Sequence, residues 1–401
     1  MATEQGFTFV DLFAGIGGLR VAFEAAGGRC VLTAERDKYA RRTYEAFFGH
    51  SPSGHRFLTD INDAFISASD PGSVLLRDAE EPFGIPKHDI LAAGFPCQPF
   101  SLAGVSKKNA LGRAHGFADP TQGTLFFNLK EILRTRRPRA FLLENVKNLK
   151  SHDRGNTWRV ISDSLSEVGY SFSERVLDAG SVVPQHRERV FIVGVDQQRY
   201  GALSPAAADW TAIWEATQLR IGAAARAEQK RYAARQWPVL GPILEKGPDS
   251  RYTLTPHLWT YLQAYRAKHE SKGNGFGYSV FDPSSPRTRT ISARYHKDGS
   301  EALISRGLGE RPRRLTPLEC LRLQGFPSEF ERHFDRTTQA PVSDTQAYRQ
   351  FGNSVCVPLV RAIAAELVQL MRRLEVVSVP RLPLTYVDSP PAAPEKPTGV
   401  R

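Results

Sequence analysis

The chain is poor in sulfur, with four cysteines and two methionines in 401 residues. Cys30, Cys97, Cys320 and Cys356 lie far apart, and no CxxC pair occurs. That spacing indicates neither a disulfide framework nor a thiolate metal site, so no metal is expected. No continuous run of about 18 apolar residues is present, which predicts no membrane span. The N-terminal segment lacks a basic stretch and enters a fold motif directly, so no secretory signal is expected. A reduced, cytoplasmic protein is the simplest expectation. Any cysteine with a special role must owe it to its surroundings.

Positive charge is what the sequence has in excess. Its 53 Lys+Arg against 42 Asp+Glu leave a net charge of +11, which points to a polyanionic partner, most simply nucleic acid. With 41% hydrophobic and 24% charged residues, a packed core is expected and global disorder is not. The length suits one large or two modest domains.

The first half alternates strand and helix patterns. Strands are predicted at 7–13, 30–34, 89–93, 140–143 and 190–195, and helices at 19–26, 38–48, 124–134 and 157–168. Alternation of this kind implies an α/β fold, a mostly parallel sheet with helices on both faces. Ligands then sit beyond the carboxyl ends of the strands. Residues 104–123 read as a long loop suited to a lid. Beyond residue 195 the alternation fades into Ala-rich helical sequence (205–235) and then Gly-, Arg- and Tyr-rich sequence, which reads as a smaller, irregular second domain. One helix is predicted over 313–326, opened by Thr316-Pro317, and a last one over 357–374. The Pro-rich tail, 376–401, is expected to be disordered.

Four groups of residues at strand ends carry chemistry. Asp11-Leu12-Phe13-Ala14-Gly15-Ile16-Gly17-Gly18 is a glycine turn between strand and helix. Glu35 follows Gly15 by twenty residues, where a carboxylate holds ribose hydroxyls. This fits an adenosine-containing cofactor; a structural tight turn is the alternative. In Gly94-Phe95-Pro96-Cys97-Gln98-Pro99 the flanking prolines make the cysteine rigid. It suits a nucleophile, or is a buried free thiol. Glu144, in Glu144-Asn145-Val146, suits proton transfer at a ring nitrogen if its pKa is raised, and otherwise a cap or salt bridge. Arg187 and Arg189, in Gln185-His186-Arg187-Glu188-Arg189, alternate onto one strand face and suit a carbonyl oxygen or phosphate, or form a solvated edge.

These blocks occur in one order, together with Arg314-Leu315-Thr316-Pro317-Leu318-Glu319-Cys320-Leu321-Arg322-Leu323-Gln324-Gly325-Phe326-Pro327 and Gln350-Phe351-Gly352-Asn353-Ser354-Val355. In this the chain resembles the bacterial DNA (cytosine-5) methyltransferase family, from about residue 7 to 370. The resemblance implies a Rossmann-like methyltransferase domain that uses S-adenosylmethionine, bound by Phe13, Gly15, Ile16, Gly18, Glu35, Asp60, Ile61, Pro96, Leu125, Asn353 and Val355. Residues 1–195 would form the catalytic domain, completed by 346–375, and 196–345 the target-recognition domain and hinge.

The same resemblance implies a catalytic set of Cys97, Glu144, Arg189 and, in support, Arg187. Cys97 would attack carbon 6 of a cytosine flipped out of double-stranded DNA, Glu144 would protonate nitrogen 3, and Arg189 would hold the carbonyl oxygen. Gln98 and Ser101 match positions near the flipped nucleotide. Residues 272–278 and 288–299 resemble the recognition region of the subgroup acting on CCGG- or CC(A/T)GG-type targets, with Arg289 and Arg294 as candidate base readers or phosphate contacts. The start of the cofactor loop within the first twenty residues leads us to expect a stand-alone modification enzyme rather than one that also regulates transcription. It would be a monomer, with a restriction endonuclease acting separately. An RNA cytosine methyltransferase and a catalytically silent DNA-binding protein are the rival readings; an NAD-dependent oxidoreductase is disfavoured by the glycine spacing.

Overall fold

Alternate residues of the first strand, β1 (Phe7–Leu12), enter different cores: Phe7 and Phe9 join one, Val10 and Leu12 the other. A strand with a two-residue side-chain period and both faces apolar must be covered on both sides. The structure, a computed structural model, describes residues 6–49, 54–67, 74–96, 124–200, 209–275, 277–335 and 339–378.

After β1 come α1 (Gly18–Ala25), β2 (Gly28–Ala34), α2 (Lys38–Phe48), β3 (Arg56–Leu58) and a short antiparallel pair, β4 (Phe65–Ser67) with β5 (Val74–Leu76). Then follow β6 (Ile90–Gly94), α3 (Thr124–Arg136), β7 (Ala140–Val146), α4 (Asn156–Glu167), β8 (Tyr170–Asp178) and β9 (Glu188–Asp196). Seven of these strands form one sheet in the order β3-β2-β1-β6-β7-β9-β8. Its pairs are parallel except where β9 runs against β7 and β8. This is the mostly parallel sheet that the alternation predicts. From β1 the chain moves outward to β2 and β3, then returns to β6 on the other side. That reversal opens a crevice at the carboxyl ends of β1 and β6, the place where such sheets bind ligands.

β3 and β8 are not predicted by the sequence. β3 has only three residues. β8 is an edge strand whose middle, Ser171 to Arg175, runs from half-buried to exposed and is polar apart from Phe172, so it lacks the apolar run that marks its neighbours.

Later elements include α5 (Trp210–Arg231), α6 (Pro256–Glu270), β10 (Val280–Phe281), β11 (Leu303–Ile304), β12 (Arg313–Arg314), α7 (Pro317–Leu323), α8 (Asp344–Asn353) and α9 (Val357–Ser378). The helix predicted over 313–326 is shorter than expected. Arg313 and Arg314 pair with β11 instead, and α7 starts only at Pro317. Thr316 accepts from the Glu319 amide there, and Glu319 accepts in return from the Thr316 amide, a reciprocal cap that fixes the helix start. α5 falls in the stretch assigned above to the second domain, yet its Ile213, Trp214 and Ile221 pack into the core with α1 and α9.

The helical stretch Asp344–Glu375 is long and apolar enough, on length and composition, to cross a membrane. Arg361 and Glu366 interrupt it as an apolar run. Of its apolar window, 83% is buried inside the protein, which makes it a core helix. A third core joins early and late stretches of the chain: Ile16, Val21 and Phe47 pack with Leu315, Leu321, Phe326, Phe330 and Phe351.

Candidate active site

The crevice is a cavity of about 410 Å³ lined by the turn after β1, the ends of β2, β6 and β7, the start of β9 and the 346–355 stretch. Nine of the residues named from the motifs or implied by the family resemblance line it: Phe13, Gly15, Gly18, Glu35, Pro96, Glu144, Arg189, Asn353 and Val355.

At the β1 end, Phe13, Gly15 and Gly17 all have positive φ, which turns the chain sharply between strand and helix. Gly18 serves a different purpose. A Cβ there would lie 2.7 Å from the Val355 side chain, so its absence lets α1 meet the 352–355 turn. Glu35 reaches back to accept from the Gly15 amide at 2.7 Å and also from the Asp37 amide at 2.6 Å. Burial raises the Glu35 carboxyl above the usual carboxylate range, against the two amides, which favour its charged form.

On the opposite wall the ends of β6 and β7 pair, with Gly94 facing Glu144. Asn145 donates to the Phe95 carbonyl at 2.8 Å and so holds the chain just past the end of β6. Glu144 is 8% exposed, and its Oε1 lies 3.1 Å from Arg189 Nε. Burial raises the Glu144 carboxyl, with the Arg189 and Arg187 guanidinium groups pulling the other way. A buried carboxyl held by an arginine and open to a cavity is suited to passing a proton to a polar ring.

Arg187 and Arg189 both lie near Glu144, but Arg187 does not line the cavity. It is 1% exposed and donates to the backbone carbonyls of Ile291, Gly352 and Ser354. Its donors are directed at the protein's own backbone, so its support of the site is indirect.

Ile16 and Ile61 also fall outside the lining; their side chains are buried in two of the cores. Leu125 packs half-buried against the core that holds Ile61. Asp60 accepts from the Asn62 amide and forms an ion pair with Arg36 at 3.5 Å. Cys97, Gln98, Ser101 and the 104–123 loop lie outside the described residues. Arg289 lines a separate basic cavity of about 340 Å³ with His186, Arg266 and Arg287. Arg294 lines another, of about 510 Å³, with Tyr261, Tyr265 and Tyr278. Among the described residues no group of three or more His, Cys, Asp or Glu could hold a metal ion.

Sequence reasoning singled out none of seven lining residues with polar side chains: Asn145, Gln350 and Ser354, which lie inside the quoted motifs, and Arg36, Asp37, Gln346 and Arg349, which lie outside them. Arg36 and Asp37 directly follow Glu35. Gln346 and Arg349 lie three apart on α8, a helical spacing that the polar start Asp344-Thr345-Gln346 conceals.

Comparison with known proteins agrees with this arrangement. The profile of the family described as C-5 cytosine-specific DNA methylase matches residues 7–369. The DNA-cytosine methyltransferase of Escherichia coli strain K12 is 46% identical over 387 residues, covering 90% of this chain and 77% of that protein. Type II methyltransferase M.NlaX of Neisseria lactamica is 44% identical over 365 residues, covering 90% of this chain and 96% of its own length. Type II methyltransferase M.HpaII of Haemophilus parainfluenzae is 35% identical, with 92% of each chain covered. In fold, the chain is similar to the crystal structure of S. pombe Dnmt2 methyltransferase, with a TM-score of 0.62 over 91% of this chain and 99% of that one, at 16% identity. The resemblance drawn from the ordered motifs is borne out: the chain belongs to the C-5 cytosine-specific DNA methylase family and is a DNA cytosine-5 methyltransferase.

Proposed function

We propose that the protein moves a methyl group from S-adenosylmethionine to carbon 5 of a cytosine flipped out of duplex DNA, through a covalent bond between Cys97 and carbon 6. The observation that carries this reading is the sharing of one cavity. Glu35 and the Gly15 amide meet on one wall, and Glu144 and Arg189 on the other.

The residues fit an adenosine-bearing donor. A carboxylate stands at the end of β2, a glycine turn leaves room beside α1, and the cavity lies at the strand ends. When bound, S-adenosylmethionine supplies an electrophilic methyl group. Glu35 would hold the ribose hydroxyls, and Phe13, Gly18, Asn353 and Val355 the rest of the molecule. Asp60, Ile61 and Leu125 are further candidates from the resemblance, with no place in the cavity lining.

On the cytosine side, the Cys97 thiolate forms a bond to carbon 6 and pushes the ring electrons towards carbon 5. Glu144 gives its proton to nitrogen 3, so no free ring anion develops. Arg189 holds the Glu144 carboxyl in place and presents a donor to the ring carbonyl oxygen. Once carbon 5 carries the methyl group, a base removes its proton. The electron pair re-forms the ring double bond and expels Cys97 as thiolate, and nitrogen 3 returns its proton to the Glu144 carboxylate.

Residues 196–345, apart from α5, are read as the target-recognition part, with Arg289 and Arg294 facing the DNA. By the resemblance, Gln98 and Ser101 would contact the flipped nucleotide. The target is built on CCGG or CC(A/T)GG, the inner cytosine being methylated. The protein works as a monomer in a bacterial cytoplasm, as the modification enzyme beside a separate restriction endonuclease.

A duplex carrying 5-fluorocytosine at the target position tests the chemistry. Fluorine on carbon 5 cannot leave as a proton does, so the reaction stops with Cys97 attached. A protein–DNA adduct stable to denaturation is expected, and none with Cys97→Ala. Adduct formation on RNA but not on DNA would overturn the reading.

A further inference from the structure

The segment 288–292 carries Arg289 on its exposed side and buries Thr288 and Ile291. It docks on the strand entry before β9. Gln185 bridges to Thr288 in parallel register, and the His186 amide donates to the Thr288 carbonyl at 3.0 Å. The buried Gln185 side chain accepts from the Ile291 amide at 2.9 Å. The outward face of the segment carries the exposed Arg289, whose guanidinium donates to the Gly277 carbonyl at 3.4 Å, while its inward face is fixed to the catalytic domain.

Arg187 carries this contact onward. One guanidinium nitrogen donates to the Ile291 carbonyl at 3.2 Å, and the other donates to the carbonyls of Gly352, at 2.9 Å, and Ser354. The last two belong to the end of α8 and the turn that lines the cavity. Carbonyls at a helix C-terminus lack partners within the helix and favour a cation. The contact between segment and turn is also direct. A Cβ added to Gly352 would fall inside van der Waals distance of the Ser292–Ala293 peptide, so only glycine lets the two backbones touch.

We infer that Arg187 is a positioning residue that joins the recognition segment 288–292 and the cavity turn 352–355 into one unit, so that duplex DNA held by the segment tightens cofactor binding in the cavity. By linkage the cofactor tightens duplex binding by the same factor. The inference rests on the reading of that cavity as the cofactor site. It gives the buried arginine a role distinct from that of Arg189, which reaches Glu144 itself.

The test measures the dissociation constant of S-adenosylhomocysteine for the full chain, alone and with a target duplex. The unaltered protein should bind S-adenosylhomocysteine about fivefold or more tightly when duplex is present. In Arg187→Lys, a single ammonium cannot span the carbonyls of both segments as the planar fork does. The ratio should then fall to within about twofold of one. A merely structural role would lower the folded fraction and leave the ratio unchanged, and that result would overturn the inference. A second measurement needs no variant. Amide exchange at residues 354–357 should slow in the unaltered protein when duplex alone is added; an unchanged rate would overturn the coupling. Failure of the unaltered protein to bind S-adenosylhomocysteine at all would instead overturn the reading of the cavity, and the inference with it.

Discussion

Glu144 and Arg189 meet although they are not register partners. In the β7–β9 pair, Glu144 faces Phe191 and Arg189 faces Val146, yet Arg189 Nε reaches Glu144 Oε1 at 3.1 Å along the diagonal. Both side chains point to the sheet face covered by α1 and α9, where the cavity opens.

Glu144→Gln keeps the shape and removes the proton donor. Methyl transfer should fall about 100- to 10,000-fold, the usual worth of a positioned acid. Duplex binding, measured by fluorescence anisotropy, should stay within about threefold on the same grounds, since the lost group acts on the reacting ring. Near-normal turnover would remove Glu144 from the mechanism.

Gly18→Ala places a methyl group 2.7 Å from the Val355 side chain. The crowding should cost about 1–3 kcal/mol of stability and raise the KM for S-adenosylmethionine by displacing the 352–355 turn. A variant with unaltered melting temperature and KM would show that the turn yields freely.

Asp11 lies on β1 beneath the glycine turn, fully buried, and neither carboxylate oxygen meets a hydrogen-bond partner among the described residues. Burial pushes its pKa up to about 8 against the pull of Arg20. In the unfolded chain the group ionises near pH 4. Between these values the folded state holds the extra proton, so this contribution to stability declines as pH rises from about 4 to 8 and then levels off. Asp11→Asn should remove that slope from the pH profile of the melting temperature. A profile parallel to that of the unaltered protein would contradict the assignment.

Glu319 is fully buried and takes both guanidinium nitrogens of Arg313, at 2.7 and 2.8 Å. It also accepts from the Thr316 and Glu245 amides. Glu319→Gln leaves a buried arginine without its counter-charge and should cost about 3–5 kcal/mol in denaturant unfolding. A loss below about 1 kcal/mol, the range of an exposed pair, would show that water reaches Arg313.

Much of the fold is legible in the sequence because burial on both sheet faces writes short apolar runs. Ile90 to Ala93 and Ala140 to Leu143 are of this kind. β8 escapes because an edge strand with Ser171, Ser173, Glu174 and Arg175 need not be apolar. The cavity is legible where chemistry demands particular residue types at strand ends, as at Gly15, Glu35, Glu144 and Arg189. The task of Arg187 is not, because its partners are backbone carbonyls more than a hundred residues away, and carbonyls carry no mark in a sequence. α8 is hidden for a related reason: its cavity-facing Gln346 and Arg349 are polar, so the helix lacks an apolar stripe at its start.

The central claim is transfer of a methyl group to cytosine carbon 5 through Cys97. Incubating unmethylated genomic DNA with isotopically labelled S-adenosylmethionine, followed by base-resolution mapping, tests it most directly. The account predicts label on the inner cytosine of a CC/GG-type site with the unaltered protein and none with Cys97→Ala. Label that persists in Cys97→Ala, or that appears on RNA and not on DNA, would contradict it.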